Sequence, residues 1–248
     1  MIRLYTTFYK ERDLDRLDEL LIALKTNLEL PEIEKVYVLN EGANLSGLLH
    51  NKLEIIPILS RPTYNQFFRI INNLTNLTDI NVIANTDIYF DKNINALKKY
   101  KFDGICLALS RWDLQEDGVF KLNNRNDSQD TWIFQGSVKE TVNGDFFLGV
   151  PRCDNRLLYE LQKAGYTVLN PAYSIKTYHL HAGSREQYSN LNKSNYIPPP
   201  YRYMYPHNLY NLLFTIIFNL CNRYKLVMYH YDLKKNKSMA TYAIIPED

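Results

Sequence analysis

A chain of 248 residues, 46% hydrophobic and 23% charged, is long enough to bury a sizeable core as one large domain or one domain with an appendage. Its net charge of +2 gives no global reason to expect nucleic acid as a partner. The cysteines Cys106, Cys153 and Cys221 have neither metal-ligand spacing nor the pattern of a disulfide framework, no basic leader opens the chain, and no window reaches the roughly eighteen apolar residues of a membrane span, so a cytoplasmic protein is expected.

Ile2 to Tyr9 is rich in β-branched and aromatic residues and predicts a first strand, with Thr6, Thr7 and Tyr9 at its carboxyl end. Leu14, Leu17, Leu20, Leu21, Leu24 and Leu28 fall on one face of a helix over 13–28, which Pro31 closes. Residues 36–39 form a second short strand ending in the turn Asn40-Glu41-Gly42. Residues 53–59 form a third, ending at Ser60-Arg61-Pro62, and 64–77 are helical. Val82-Ile83-Ala84 then reads as a strand buried on both faces. It changes character within one residue, to Asn85-Thr86-Asp87, with Asp91 four further on. In open α/β sheets ligands bind at the carboxyl ends of the strands, and a carboxylate there can hold a divalent cation that in turn holds a diphosphate. The plainer alternative is that Asn85 and Asp87 only build a turn.

This alternation predicts an α/β fold: a mixed, mostly parallel Rossmann-type sheet flanked by helices, with right-handed crossovers. Neither GxGxxG nor GxxxxGK[ST] is present, so a metal at Asp87 would take the place of a glycine-rich phosphate loop.

The second half is less regular. A strand over 103–110 is followed by Arg111-Trp112-Asp113 and a polar loop over 123–128 that reads as mobile. Apolar character returns at 130–134. A helix over 155–164 ends at Gly165, and short strands follow at 168–169 and 174–180, the last running into Tyr178-His179-Leu180-His181. Residues 188–206 are rich in Tyr, Asn and Pro and predict an extended, semi-rigid segment. An apolar helix over 209–221 precedes Arg223 and Lys225. It can pack on the domain, form a homo-oligomer contact through 209–225, or lie peripherally on a membrane surface. The expected division is an α/β domain over 1–186, with a nucleotide-binding half (1–91) and a less regular half (92–186), and a C-terminal helical extension over 187–248.

Three features in this order resemble the nucleotide-sugar glycosyltransferases of the GT-A fold, in particular the family-2-like inverting type. Asn85-Thr86-Asp87 looks like a variant of the DxD motif. Asp154-Asn155-Arg156-Leu157-Leu158-Tyr159-Glu160-Leu161, running into Ala164-Gly165-Tyr166-Thr167-Val168, is similar to the helix that begins with the catalytic carboxylate and ends in an AGY-V turn. His179 or His181 follows the last core strand, where such enzymes place a metal-ligating histidine. The chain departs from the pattern at Asn85, where Asp is usual, and at Cys153, where a Glu often precedes the base.

The resemblance, which covers roughly 1–181, implies a metal-dependent transferase that moves a sugar from a nucleoside-diphosphate sugar to a glycan or other hydroxyl acceptor, building a polysaccharide. Asp87 would ligate Mn²⁺ or Mg²⁺, with a histidine from His179 and His181 completing the shell, unless these only hydrogen-bond the core. Asp154 would be the general base, with Asp130 in reserve. Asp154 is also a favoured helix N-cap residue, and the helix N-terminus would lower its pKa and keep it ionised. Thr6, Thr7, Tyr9, Asn40, Glu41, Arg61, Asn85, Thr86 and Arg156 are candidates for the nucleotide sugar, with Tyr64 stacking on the base; Arg156 and Arg185 are equally surface charges. Trp112 and Trp132 would stack on acceptor sugar faces or belong to the core. A non-catalytic nucleotide-sugar or carbohydrate binding domain of the same fold is the alternative. A sugar nucleotidyltransferase is disfavoured by the absence of a glycine-rich nucleotide loop.

Overall fold

The computed structural model describes residues 1–180 and 196–207. Its centre is a seven-stranded sheet built from β1 (Ile2–Tyr9), β2 (Lys35–Glu41), β3 (Leu53–Pro57), β4 (Ile80–Ala84), β6 (Ile105–Leu109), β9 (Thr131–Gln135) and β10 (Thr167–Leu169), in the order β10-β6-β9-β4-β1-β2-β3. All neighbours pair in parallel except β9, which runs antiparallel to both β4 and β6. This is the mixed, mostly parallel sheet that the alternation of elements predicts. The inserted antiparallel strand is not visible in the apolar string 130–134.

The apolar runs are continuous because both faces of the sheet are covered. Along β1, Ile2, Leu4 and Phe8 join the core on one side, with Leu20, Leu24 and Leu28 of α1 (Leu14–Glu29). Tyr5 joins the core on the other, with Phe67, Phe68 and Ile71 of α2 (Tyr64–Leu74) and Leu157, Leu158 and Leu161 of α3 (Cys153–Lys163). β4 divides in the same way: Val82 and Ala84 face one cluster and Ile83 the other, the period-two alternation of a strand.

A second, four-stranded sheet has the order β5-β11-β7-β8, from β5 (Ile88–Phe90), β7 (Trp112–Leu114), β8 (Phe120–Leu122) and β11 (Thr177–His179). Asp91, noted beside the site in the sequence, caps a 3-10 helix over Lys92–Lys99 and accepts a bond from Tyr178 Oη at 2.9 Å. Residues 196–207 lie on the domain: the amide of Arg202 donates to the Asn155 carbonyl and that of Met204 to the Asn126 carbonyl, at 2.9 and 2.8 Å. No helix among the described residues is long and apolar enough to cross a membrane. His181, Arg185 and the predicted helix over 209–221 lie outside the described residues.

Gly144 sits where the chain crosses the first turn of α2. Its amide donates to Asn65 Oδ1 at 2.8 Å and its carbonyl accepts from the Asn65 amide at 3.0 Å. A Cβ there would stand 2.8 Å from both the Phe68 ring and Tyr64 Cβ, and 2.9 Å from the Asn65 nitrogen. Gly144→Ala is therefore expected to destabilise the fold by about 1–3 kcal/mol, as overpacking does, read as a lower denaturant midpoint at unchanged m-value.

Candidate functional site

The carboxyl ends of β1, β2 and β4 open into a cavity of about 150 Å³ lined by Thr7, Tyr9, Arg16, Glu41, Arg61 and Asn85-Thr86-Asp87. Thr7 and Thr86 pair through their hydroxyls at 2.6 Å, tying the end of β1 to the turn after β4. Asp87 is mostly buried, and its Oδ2 accepts from both the Arg16 guanidinium and His179 Nε2, the latter at 3.1 Å. Burial opposes the charge, but His179 and Arg16 outweigh it and hold the carboxyl well below the usual carboxylate range.

His179 is placed by the second sheet, where β11 pairs with β7 so that His179 lies opposite Asp113. Its Nδ1 meets Asp113 Oδ1 at 2.9 Å. Burial alone would neutralise the ring, yet the bonds to Asp113 and Asp87 raise its pKa to about 9. The arrangement continues: Arg111 Nε donates to Asp113 Oδ1 at 2.7 Å, and Arg111 Nη1 donates to both oxygens of Asp130 at 3.0 Å. Arg16, Asp87, His179, Asp113, Arg111 and Asp130 thus form a line of alternating charge.

Asp130 arrives through topology. Because β9 runs antiparallel to β4, Thr131 pairs with Ala84, and the residue before β9 meets the residue after β4. Asn85 Nδ2 donates to Asp130 Oδ1 at 2.9 Å, and the Asn85 amide to the Asp130 carbonyl at 3.1 Å. On the far side of this contact a cavity of about 350 Å³ is lined by Arg111, Arg125, Asp127, Asp130, Arg152 and Asp154, among others. Asn85 and Gly149 line both cavities and form the wall they share. Gly149 has φ 72°, a left-handed backbone that glycine adopts without strain, and open space where a Cβ would stand.

Asp154 is the second residue of α3, not its cap; the N-cap is Arg152, which holds a left-handed φ of 75° while its guanidinium reaches Asp127 at 3.6 Å. Arg152 alone among the described non-glycine residues has a positive φ, a conformation costing about 1–2 kcal/mol and concentrated at functional sites. The expectation that the helix N-terminus keeps Asp154 ionised is corrected: burial, followed by the neighbouring Asp130 carboxylate, pushes its pKa up to about 7. The Cys153 thiol donates to Asp154 Oδ1 at 2.9 Å and the Gln129 amide to Oδ2 at 3.4 Å.

Several sequence candidates stand elsewhere. Tyr64 is 1% exposed and Trp132 is fully buried; they meet edge to face in the core, so neither can stack on a base or a sugar. Thr6 is buried and lines neither cavity. Asn40 closes its own turn through bonds to the amide and carbonyl of Ala43. Arg156 is turned onto Glu160 and the carbonyls of Pro198 and Pro199. Trp112 donates to the Ala172 carbonyl and carries Lys176 Nζ over its ring at 4.2 Å, away from both cavities. The 123–128 loop, read as mobile, is tied down by bonds between Asn123 and Arg111 and between Met204 and Asn126, and it walls the larger cavity. Arg16, Arg111, Asp113, Asp127 and Arg152 were missed as site residues, because nothing in their local sequence marks them.

Among the described residues no group of three or more His, Cys, Asp or Glu side chains is arranged to hold a metal ion. His179, proposed as a ligand, has both ring nitrogens bonded to carboxylates. Beside it stand Asp87 Oδ1 and the Asn85 amide oxygen, for which no hydrogen bond is seen among the described residues. Such a pair fits a hard cation that takes most of its ligands from a diphosphate and water, the usual manner of Mg²⁺.

No protein-family model matches the chain, and no curated protein matches it. Among solved structures it is similar to a mannosyltransferase from Pyrobaculum calidifontis in complex with GDP-Man and Mn²⁺, at 14% identity and TM-score 0.49 over 75% of this chain. It is similar to GalNAc-T7 with UDP, GalNAc and Mn²⁺, at 9% identity and TM-score 0.49 over 80% of this chain. It is also similar to residues 1–349 of S. aureus TarS with UDP-GlcNAc, at 11% identity and TM-score 0.47 over 77% of this chain. The chain spans 58%, 46% and 61% of those three proteins.

Proposed function

We propose that this chain is a nucleotide-sugar glycosyltransferase that moves a sugar to a hydroxyl of a glycan or similar acceptor, with inversion, in the cytoplasm where nucleotide sugars are made. The observation that supports it is the placement of two carboxylates in adjoining cavities with a common wall: Asp87 in the smaller, Asp154 in the larger, Asn85 and Gly149 between them.

The donor's diphosphate would lie in the smaller cavity, with Thr7, Tyr9, Glu41 and Arg61 toward the nucleotide. Asp87 and Asn85 would hold Mn²⁺ or Mg²⁺ there. A cation bound in that place neutralises the charge that builds on the departing diphosphate. Asp130, fixed by Arg111 and Asn85, is better suited to orienting sugar hydroxyls than to taking a proton, so it serves as a positioning group and not as the reserve base.

Asp154 faces the acceptor. As the acceptor oxygen forms its bond to the anomeric carbon, its proton passes to Asp154, and the electron pair of the breaking C–O bond leaves with the diphosphate. A carboxylate raised to about 7 is matched to a proton transfer near neutral pH.

The test is a panel of UDP, GDP and dTDP sugars offered with glycan acceptors in Mn²⁺ or Mg²⁺. Transfer with inverted anomeric configuration, read by NMR of the product, is expected from one donor. Donor binding without transfer or hydrolysis would assign the non-catalytic binding role instead. Binding of no donor would overturn both.

A further inference from the structure

Asp87 Oδ2 is shared by two cationic groups that differ in how firmly they are held. His179 belongs to a strand, and its other ring nitrogen is anchored on Asp113 at 2.9 Å. Arg16 reaches Asp87 from the first turn of α1, where its backbone amide is held by the Asp13 cap and its guanidinium stands at the end of a long side chain. The guanidinium already divides itself between partners, Nη2 on Asp87 and Nη1 on Glu19 Oε2 at 2.7 Å. It is partly exposed, at 20%, and lines the same small cavity as Asp87, Asn85 and Thr86. A divalent cation at Asp87 would meet the like charge of Arg16 at contact range, while a diphosphate in this cavity would offer the guanidinium a planar, paired acceptor.

We propose that Arg16 is a diphosphate-binding residue stored on Asp87: a divalent cation at Asp87 displaces the guanidinium, which then bonds the nucleotide phosphate in the same cavity. Asp87 is thereby kept neutralised before the donor arrives, and the same arginine becomes part of the donor site afterwards. The inference rests on the reading of this cavity as a nucleoside-diphosphate site.

The experiment compares the full chain with Arg16→Gln and Arg16→Lys. Mn²⁺ alone is followed by electron paramagnetic resonance, and UDP and GDP in saturating Mn²⁺ by calorimetry. Removing a competing cation is expected to tighten Mn²⁺ binding by Arg16→Gln about tenfold, and removing a phosphate ligand to weaken UDP or GDP binding about tenfold. Arg16→Lys keeps the charge without the fork, so its Mn²⁺ affinity should stay near that of the unchanged chain while nucleotide affinity falls. Opposite signs for metal and nucleotide are the signature; a plain structural ion pair moves neither, or weakens both together with a lowered melting temperature, and either result overturns the proposal. If the unchanged chain binds neither UDP nor GDP with Mn²⁺, the reading of the cavity fails first. Nucleotide binding that is intact and indifferent to Arg16 sinks this inference alone.

Discussion

Asp154→Asn is expected to bind UDP or GDP and Mn²⁺ as the unchanged chain does, and to lose sugar transfer by about 10²–10⁴-fold, the usual worth of general-base catalysis. The substitution keeps the shape of the side chain and removes the proton acceptor. The cap of α3 is not at issue, because Arg152 and not Asp154 occupies that position. The pH dependence follows from the same environment. Only ionised Asp154 can take a proton, so transfer should rise with pH and level off above about 7. The stability effect has the opposite sign. A carboxyl raised in the fold from 3.8 to about 7 contributes stability below 3.8 that is lost as pH rises toward 7. Asp154→Asn should therefore melt no lower, and at about pH 8 higher, than the unchanged chain, while transfer is lost. Normal transfer by a folded Asp154→Asn protein would remove Asp154 as the base.

The second large effect is at Asp87, where the neighbours decide which variant is informative. Asp87→Ala would leave Arg16 and His179 without their shared counter-charge, and breaking a buried ion pair in this way costs up to about 3–5 kcal/mol, less here because the pair is partly solvated. Asp87→Asn keeps a hydrogen-bond acceptor and is the better test. It is expected to abolish the metal-dependent part of UDP or GDP binding while the far-ultraviolet circular dichroism is retained. The ion pair also predicts a stability profile. His179, raised from 6.5 to about 9, contributes stability that is full below 6.5 and lost as pH rises through 9. Asp87, held below its ordinary 3.8, contributes stability that is full above 3.8 and lost as acid protonates it. Melting temperatures between about pH 3 and pH 10 should fall on both flanks in the unchanged chain and less steeply in Asp87→Asn. Metal-dependent nucleotide affinity that survives Asp87→Asn would place the cation elsewhere.

What the sequence by itself determined is what local periodicity encodes. Apolar runs at 2–9, 36–39 and 82–84 are strands because both faces of the sheet must be buried. The leucines of 14–28 make a helix because their spacing builds one apolar side. Asn85 and Asp87 stand out because a polar pair that closes a buried strand lands at the carboxyl edge, where a sheet of this kind leaves its opening. The helix that carries Asp154 was legible from its leucines and the Gly165 that stops it, while the part given to Asp154 came from the resemblance alone. The tertiary structure alone decided which distant groups meet these residues and in what charge state. The antiparallel insertion of β9 brings Asp130 to Asn85 across 45 positions of sequence. The pairing of β11 with β7 sets His179 between Asp113 and Asp87, two carboxylates far from it in sequence that raise the pKa of its ring. Burial took Tyr64 and Trp132 from the site into the core, since an aromatic side chain looks the same in sequence whether it stacks on a ligand or on a neighbour. The pKa of Asp154 moved against its helix because desolvation and a nearby carboxylate outweigh a terminal dipole. Both are properties of the space around a residue, and periodicity along the chain carries no record of that space.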